Sequence, residues 1–249
     1  MAKRKGKKVG RALGISLAAV VLVLGGLFIL WYASFANMKK AEAAYFDKDG
    51  KFVCSEENPF REELFAKLVS VCTKAGTFEE ASPYAWDKTL LENRDVNFSD
   101  FTILAKDGAK YEIYDYAPLV QARSGERVTV MSPQQRYLYI ERTKGDKSLI
   151  YRVKFDEKAE EIWELIGKAQ RYAYNQMGTF RATVVSSSES MGFGTGGGTV
   201  ESPEYGRMDV SASSFDWAKP GDTVEVTVLQ QPAWFAAGDR PKVTIKKVE

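Results

Sequence analysis

Phe101–Tyr116 reads FTILAKDGAKYEIYDY. Phe101, Ile103 and Ala105 recur at every second position, Asp107-Gly108 supplies a tight reversal, and Tyr111–Tyr116 returns. A period of two sends alternate side chains to opposite faces of a strand, and Asp-Gly accommodates the positive φ of a short hairpin turn. The stretch therefore predicts an antiparallel hairpin. Arg127–Met131, Arg136–Thr143 and Ser148–Phe155 predict further strands, the last two joined by Lys144-Gly145-Asp146-Lys147, so the segment reads as an antiparallel meander. Asp156 then serves as the N-cap of a helix to about Asn175, in which Ala159, Ile162, Trp163 and Ile166 share one stripe. Strands in a run, with helices set apart from them, predict an α+β fold.

Several antiparallel strands followed by one amphipathic helix with a central tryptophan resembles the ending of a pleckstrin-homology-type barrel, over roughly residues 100 to 175. The resemblance rests on element order. It implies a barrel plugged at one end by the helix and assigns no binding residues.

Downstream, a boundary is expected near residue 178. Phe180–Val185 predicts a strand, and Ser186–Pro203, SSSESMGFGTGGGTVESP, reads as a Gly/Ser-rich low-complexity loop. Arg207–Ala212 places Met208, Val210 and Ala212 on one face; Pro220-Gly221-Asp222 turns into Val224, Val226 and Val228; Pro241–Val248 turns Val243 and Ile245 inward. Short strands without a long helix predict a small C-terminal all-β barrel or sandwich, OB-like in type, over residues 178–249.

Upstream, Asn58-Pro59 marks a helix start with Asn as N-cap and Pro at the first helical position, and Glu62 and Glu63 suit the positive helix end. Leu64, Phe65, Leu68, Val69 and Cys72 then form an apolar face closed by Gly76, and a second helix is expected from Ser82-Pro83 with Trp86, Leu90 and Leu91 inward. These helices and the meander make up an extracytoplasmic α+β domain, residues 47–177. Asp47-Lys48-Asp49-Gly50 lacks the ligand spacing of a calcium loop and reads as a turn.

The first 46 residues set the location. Ala12–Tyr32, ALGISLAAVVLVLGGLFILWY, is a run of 21 apolar and small residues, and no charge occurs from Ala12 through Met38. As a helix it spans about 31 Å, close to a bilayer core. Lys3, Arg4, Lys5, Lys7, Lys8 and Arg11 precede it and only Lys39 and Lys40 follow closely, so residues 1–11 form a cytoplasmic basic tail and the bulk of the chain is expected outside. Cleavage after a signal peptide competes with this reading, but the run exceeds the usual apolar core of such peptides. Residues 33–46, Ala-rich, are expected to continue as a juxtamembrane helix. The expectation is a single-pass cell-membrane protein held by a transmembrane signal anchor at residues 12–32.

Beyond the first 32 residues there remain 29 Lys and Arg against 33 Asp and Glu, a net of −4. A mildly acidic domain offers no electrostatic footprint for nucleic acid. The chain has no histidine, which closes Ser-His-Asp and Cys-His catalysis and His-ligated metal sites. No GxxxxGK[ST] occurs, and Gly192, Gly194 and Gly197 formally satisfy GxGxxG but precede Thr199-Val200-Glu201-Ser202-Pro203, which opens no helix for a pyrophosphate. No cofactor or metal is expected. The Ser186–Ser190 cluster lacks the S-x-x-K spacing of a Ser-Lys nucleophile, adjacent glutamates read as solvated faces, and no catalytic residue is assigned.

Two features stand out as sites. Cys54 and Cys72, the only cysteines, are candidates for a disulfide, with a buried apolar Cys72 the alternative. Gln230–Arg240, QQPAWFAAGDR, puts Trp234 and Phe235 in the loop between the last two strands, where exposed rings mark an interaction surface and buried ones cover the barrel end. The expected function is a non-catalytic binding or assembly component of the cell envelope whose partner is an envelope protein or a cell-wall polymer. The alternative is an exported hydrolase or transferase using carboxylates or a Ser-Lys pair.

Overall fold

The computed structural model describes residues 19–30, 41–46, 51–73, 101–116, 120–124, 127–131, 137–154, 157–188, 196–212, 215 and 217–248. Their architecture is mixed α+β: an antiparallel sheet, a separate hairpin and a closed five-stranded barrel.

Helix α1 covers residues 19–30, within the expected span 12–32. Among the described residues no helix is long and apolar enough to cross a membrane. Residues 1–18, 31–40 and 47–50 lie outside the described residues, as does the expected helix at 82–91.

The sheet runs β1 (Ala41–Tyr45), β2 (Phe101–Ala105), β3 (Lys110–Tyr116), β6 (Tyr137–Lys144), β7 (Lys147–Lys154), each neighbour antiparallel. Gly108, at φ 77°, makes the expected reversal between β2 and β3. Phe101, Ile103, Tyr111, Ile113, Leu138 and Ile140 all fall on one face and are fully buried. That face is the period-two pattern of the sequence made physical.

Three expectations need correction here. Val120–Ser124 (β4) pairs with Arg127–Met131 (β5) as a two-stranded ribbon of its own, so the meander is interrupted by a hairpin. Among the described residues the sheet stays open, and the closed barrel is formed by later strands; the pleckstrin-homology-type closure over residues 100 to 175 is not what this segment does. Ala41–Tyr45 is a strand, not the end of a juxtamembrane helix. Alanine favours helix in isolation, but Ala44 is fully buried, pairs with Ile103, and its carbonyl accepts the Cys54 N–H at 2.7 Å. Two-sided strand pairing overrides local propensity.

Helix α2 (Arg61–Thr73) buries Leu64, Phe65, Leu68 and Val69, the expected face. Its start differs: Asn58 lies one turn ahead, where its Oδ1 accepts the Phe60 N–H at 3.2 Å, and the Phe60 carbonyl receives the Leu64 N–H. Asn58 is buried because its Nδ2 reaches across to donate to the carbonyl of Ala169 at 2.9 Å.

That carbonyl belongs to α3 (Glu157–Met177), which buries Ala159, Ile162, Leu165, Ile166, Ala169, Gln170, Tyr174 and Met177. Trp163 is only half-buried at the margin of this stripe. Gly178 at φ 63° ends the helix, as glycine at this position commonly does.

The barrel comprises β8 (Thr179–Ser188), β9 (Gly196–Ser202), β10 (Gly206–Ala212), β11 (Thr223–Val228) and β12 (Lys242–Lys247). It closes in the order β10-β12-β11-β8-β9; β10 and β12 are parallel and the other pairs antiparallel. Met208, Val210, Ala212, Val224, Val226, Val243 and Ile245 point inward as the alternation predicts. The expected loop at 186–203 is largely strand. Gly196 and Gly198 lie two apart on the inner face of β9, and the ring of the fully buried Phe215 occupies the space their missing side chains leave. A string that reads as a linker by composition is a strand because a ring fills its gap.

The sheet, α2, α3 and the barrel share one buried hydrophobic cluster.

Candidate functional site

The sequence feature richest in exposed chemistry, Gln230–Arg240, is held on α3 by a set of directed contacts. Asn175 Oδ1 accepts the Gln231 N–H at 2.7 Å, Arg171 Nη1 donates to the Ala233 carbonyl at 2.6 Å, and Gln170 Oε1 accepts the Gly238 N–H at 3.2 Å. Gln231 also ties the loop to itself: its Nε2 donates to the carbonyls of Leu229 and Lys242, and its Oε1 accepts the Lys242 N–H at 2.9 Å. With its amide fully used, Gln231 is buried without an unpaired polar atom.

Docking separates the two rings. Phe235 is 7% exposed and sits edge-on to Tyr174 with centroids 5.7 Å apart. Tyr174 in turn stacks on Phe52 at 4.7 Å, so three rings link the strand region, α3 and the barrel loop. Trp234 faces the other way and is 71% exposed, with the Lys242 ammonium 5.3 Å from its ring centroid. One of the two expected residues is therefore packing and the other is surface.

Beside Trp234's neighbour Ala233 lies a groove of about 450 Å³, lined by Pro59, Phe60, Arg171, Tyr172, Asn175, Gln230, Gln231 and Ala233. Its walls come from the turn before α2, one face of α3 and the β11–β12 loop. Pro59, Phe60, Arg171, Tyr172 and Asn175 are not recoverable from the local sequence as site residues, because they are brought together by tertiary contacts, among them the Asn58, Arg171 and Asn175 hydrogen bonds. The lining carries one cation and no carboxylate. A second, smaller groove between α2 and α3 is crossed by the Lys67–Glu161 ion pair at 2.5 Å and bordered by Glu164 and Lys168. These exposed pairs read as a solvated helix surface.

The other sequence candidates fall elsewhere. Ser186 lies on the outer barrel wall, where its Oγ donates to Thr199 Oγ1 at 3.0 Å, which donates to Asp209 Oδ1 at 2.6 Å. The hydroxyls run toward a carboxylate along a sheet surface, and no lysine joins the chain among the described residues. Gly197 lies inside β9, while Gly192 and Gly194 lie outside the described residues.

Cys54 is a free thiol and fully buried; the side chain of Cys72, its candidate disulfide partner, lies outside the described residues. Cys54 packs into the core behind β1, and its carbonyl is tied to Arg61 Nη1 at 2.9 Å. Burial pushes the thiol up to about 12, against a smaller opposing pull from the Arg61 guanidinium. The folded value therefore lies above the value of 9.0 of a free thiol. Below pH 9 both states are protonated and the full contribution is present; between pH 9 and about 12 the unfolded chain ionises first, and stability falls. The midpoint of urea unfolding is expected to drop more steeply across this window in the native protein than in Cys54→Ala. Equal slopes would show that the thiol is not desolvated.

Comparison with known protein families, curated proteins and solved structures finds no match to this chain.

Proposed function

We propose that this chain is a single-pass membrane protein whose extracytoplasmic part is a non-catalytic binding component of the cell envelope, and that its barrel is an OB-type module. The observation that carries the binding reading is Trp234. A tryptophan left 71% exposed, on a loop otherwise fixed to α3 by directed hydrogen bonds, is a preorganised contact residue.

The barrel reading is supported by strand path: five strands in Greek-key order, closed by one parallel pair. In OB-type barrels the loop joining the last two strands contributes to ligand binding, and here that loop carries Trp234. The outward side chains of β9 and β10, among them Thr199, Glu201, Arg207 and Asp209, include no aromatic ring on which a nucleobase would stack.

The anchor is supported by the uncharged run from Ala12 through Met38 behind six basic residues. Within it, every large apolar side chain of residues 20–30 is more than half exposed, Leu22 to 76%. Such a surface is stable in lipid and costly in water.

Expression of the full chain followed by carbonate extraction and protease digestion of intact cells or spheroplasts tests the reading. The protein is expected in the membrane pellet with its C-terminal part cleaved from outside, and crosslinking in that membrane is expected to capture an envelope component through residues 230–240. Recovery in the soluble fraction, or protection of the C-terminal part in intact spheroplasts, would overturn it.

A further inference from the structure

We propose that the groove beside Trp234 takes an anionic glycan, a sugar polymer bearing carboxylates. This rests on the envelope-binding reading and names its ligand class.

The charge of the groove differs from that of the domain around it. Beyond residue 32 the chain is acidic, with 33 Asp and Glu against 29 Lys and Arg, yet the groove is lined by no carboxylate. Arg171 borders it, and Trp234, the residue after the lining Ala233, holds the Lys242 ammonium 5.3 Å from its ring centroid. The groups it presents are mostly donors. Arg171 spends Nη1 on the Ala233 carbonyl and keeps its remaining N–H groups; Asn175 spends its Oδ1 on Gln231, which leaves its amide N–H facing outward from that bond; Gln230 is exposed. A surface of donors with a fixed guanidinium selects a ligand that carries acceptors and negative charge.

The rings select the rest. Phe60 and Tyr172 line the groove with half-buried ring surface, against which the C–H face of a pyranose ring packs, and Trp234, next in the chain to the lining residue Ala233, adds a ring that is 71% exposed and carries the Lys242 ammonium over one face. Ring surface and amides in one lining suit a molecule that carries both apolar C–H patches and hydroxyls. The groove has the volume of a small-ligand site and is open to solvent, so a short segment of a longer polymer is able to seat in it. A protein partner would need an apolar surround that keeps water from the central ring, whereas Ala233, next to Trp234 in the chain, and Lys242, over its ring, are both exposed.

The test is calorimetric titration of the full chain in detergent micelles with three probes: a galacturonate hexamer, its methyl ester, and a hexaglutamate peptide. The uronate is expected to bind with a Kd of about 10 μM to 1 mM, and the uncharged ester at least about tenfold more weakly. Raising salt is expected to weaken the uronate complex as the charge contribution is screened. Trp234→Ala and Gln230→Ala, both at exposed positions, are each expected to weaken uronate at least about fivefold with the unfolding midpoint unchanged. No binding at several millimolar uronate, equal affinity for the ester, or affinity unchanged in both variants would overturn the proposal. So would hexaglutamate binding as tightly and losing affinity in the same variants, which would make the groove a site for acidic protein segments. Any of these leaves the membrane and topology result untouched, so failure of the ligand class and failure of the envelope reading are distinguishable.

Discussion

Gly198→Ala is expected to destabilise the barrel, and Phe215→Ala to destabilise it more. A Cβ at Gly198 would lie 2.5 Å from Phe215 Cζ and 2.6 Å from the Ser186 carbonyl oxygen, one a packed ring and the other strand backbone. Neither yields easily: the ring is fully buried, and Ser186 belongs to β8, paired to β9. Overpacking of this kind costs about 1–3 kcal/mol. Deleting the ring instead leaves a cavity facing Gly196 and Gly198 and costs about 3–5 kcal/mol. Urea unfolding of each single variant and of the pair measures the coupling. In the Phe215→Ala background the Gly198 substitution is expected to lose the part of its cost that comes from the ring and to keep the part that comes from Ser186. Additivity within about 0.5 kcal/mol would mean that ring and strand do not share the space.

Gly167→Val is expected to release the β11–β12 loop from α3 while the barrel stays folded. In an isolated helix, replacing glycine by valine would be mildly favourable. At this site a Cβ would stand 2.7 Å from the Ala237 nitrogen and 3.0 Å from the Ala236 carbonyl carbon, and backbone does not give way as a flexible side chain does. The steric term exceeds the propensity gain, so the loop moves. Loss of the seat exposes Phe235 and frees Gly238 from Gln170. Amide hydrogen exchange over residues 229–241 is expected to quicken roughly 30-fold, corresponding to about 2 kcal/mol of local stability, with the amides of β8–β10 unchanged. Uniform acceleration across the barrel, or a net gain in stability, would refute the docking geometry. Gly167→Val is also expected to displace the wall of the groove formed by Ala233, since that residue and Trp234 ride on the same loop.

Local pattern and long-range contact divided the work of specifying this fold in a regular way. The hairpin at Asp107-Gly108, the face of α2 from Leu64 to Val69, the stripe of α3 and the inward valines of β11 follow from periodicity, because each is a repeat read within one element. Ala41–Tyr45 and Gly196–Ser202 went the other way. The first reads as helix and the second as linker, and each becomes strand through a partner that local sequence does not reveal: Ile103 and the Cys54 amide for one, β8, β10 and the Phe215 ring for the other. The same holds at the site. Gln230–Arg240 was visible as a loop with two aromatics, but the groove depends on Arg171, Asn175 and Phe60, which are distant in sequence and ordinary in their own elements. Asn58 makes the capping bond its position suggests, accepting the Phe60 N–H, and its amide nitrogen also bridges to Ala169, a role no spacing announces.

By itself the sequence determined the α+β class and the position of most strands. Side-chain period and residue type are local properties, and they suffice for that. Only the tertiary structure decided that the last five strands close into a barrel while the earlier sheet stays open among the described residues, that Cys54 is a buried free thiol, and that Phe235 turns in while Trp234 turns out. Those outcomes depend on which distant backbone pairs with a strand and which surface covers a ring. For Trp234 and Phe235, adjacent in the chain and alike in hydrophobicity, the seat on Gly167 and Tyr174 is what separates packing from surface.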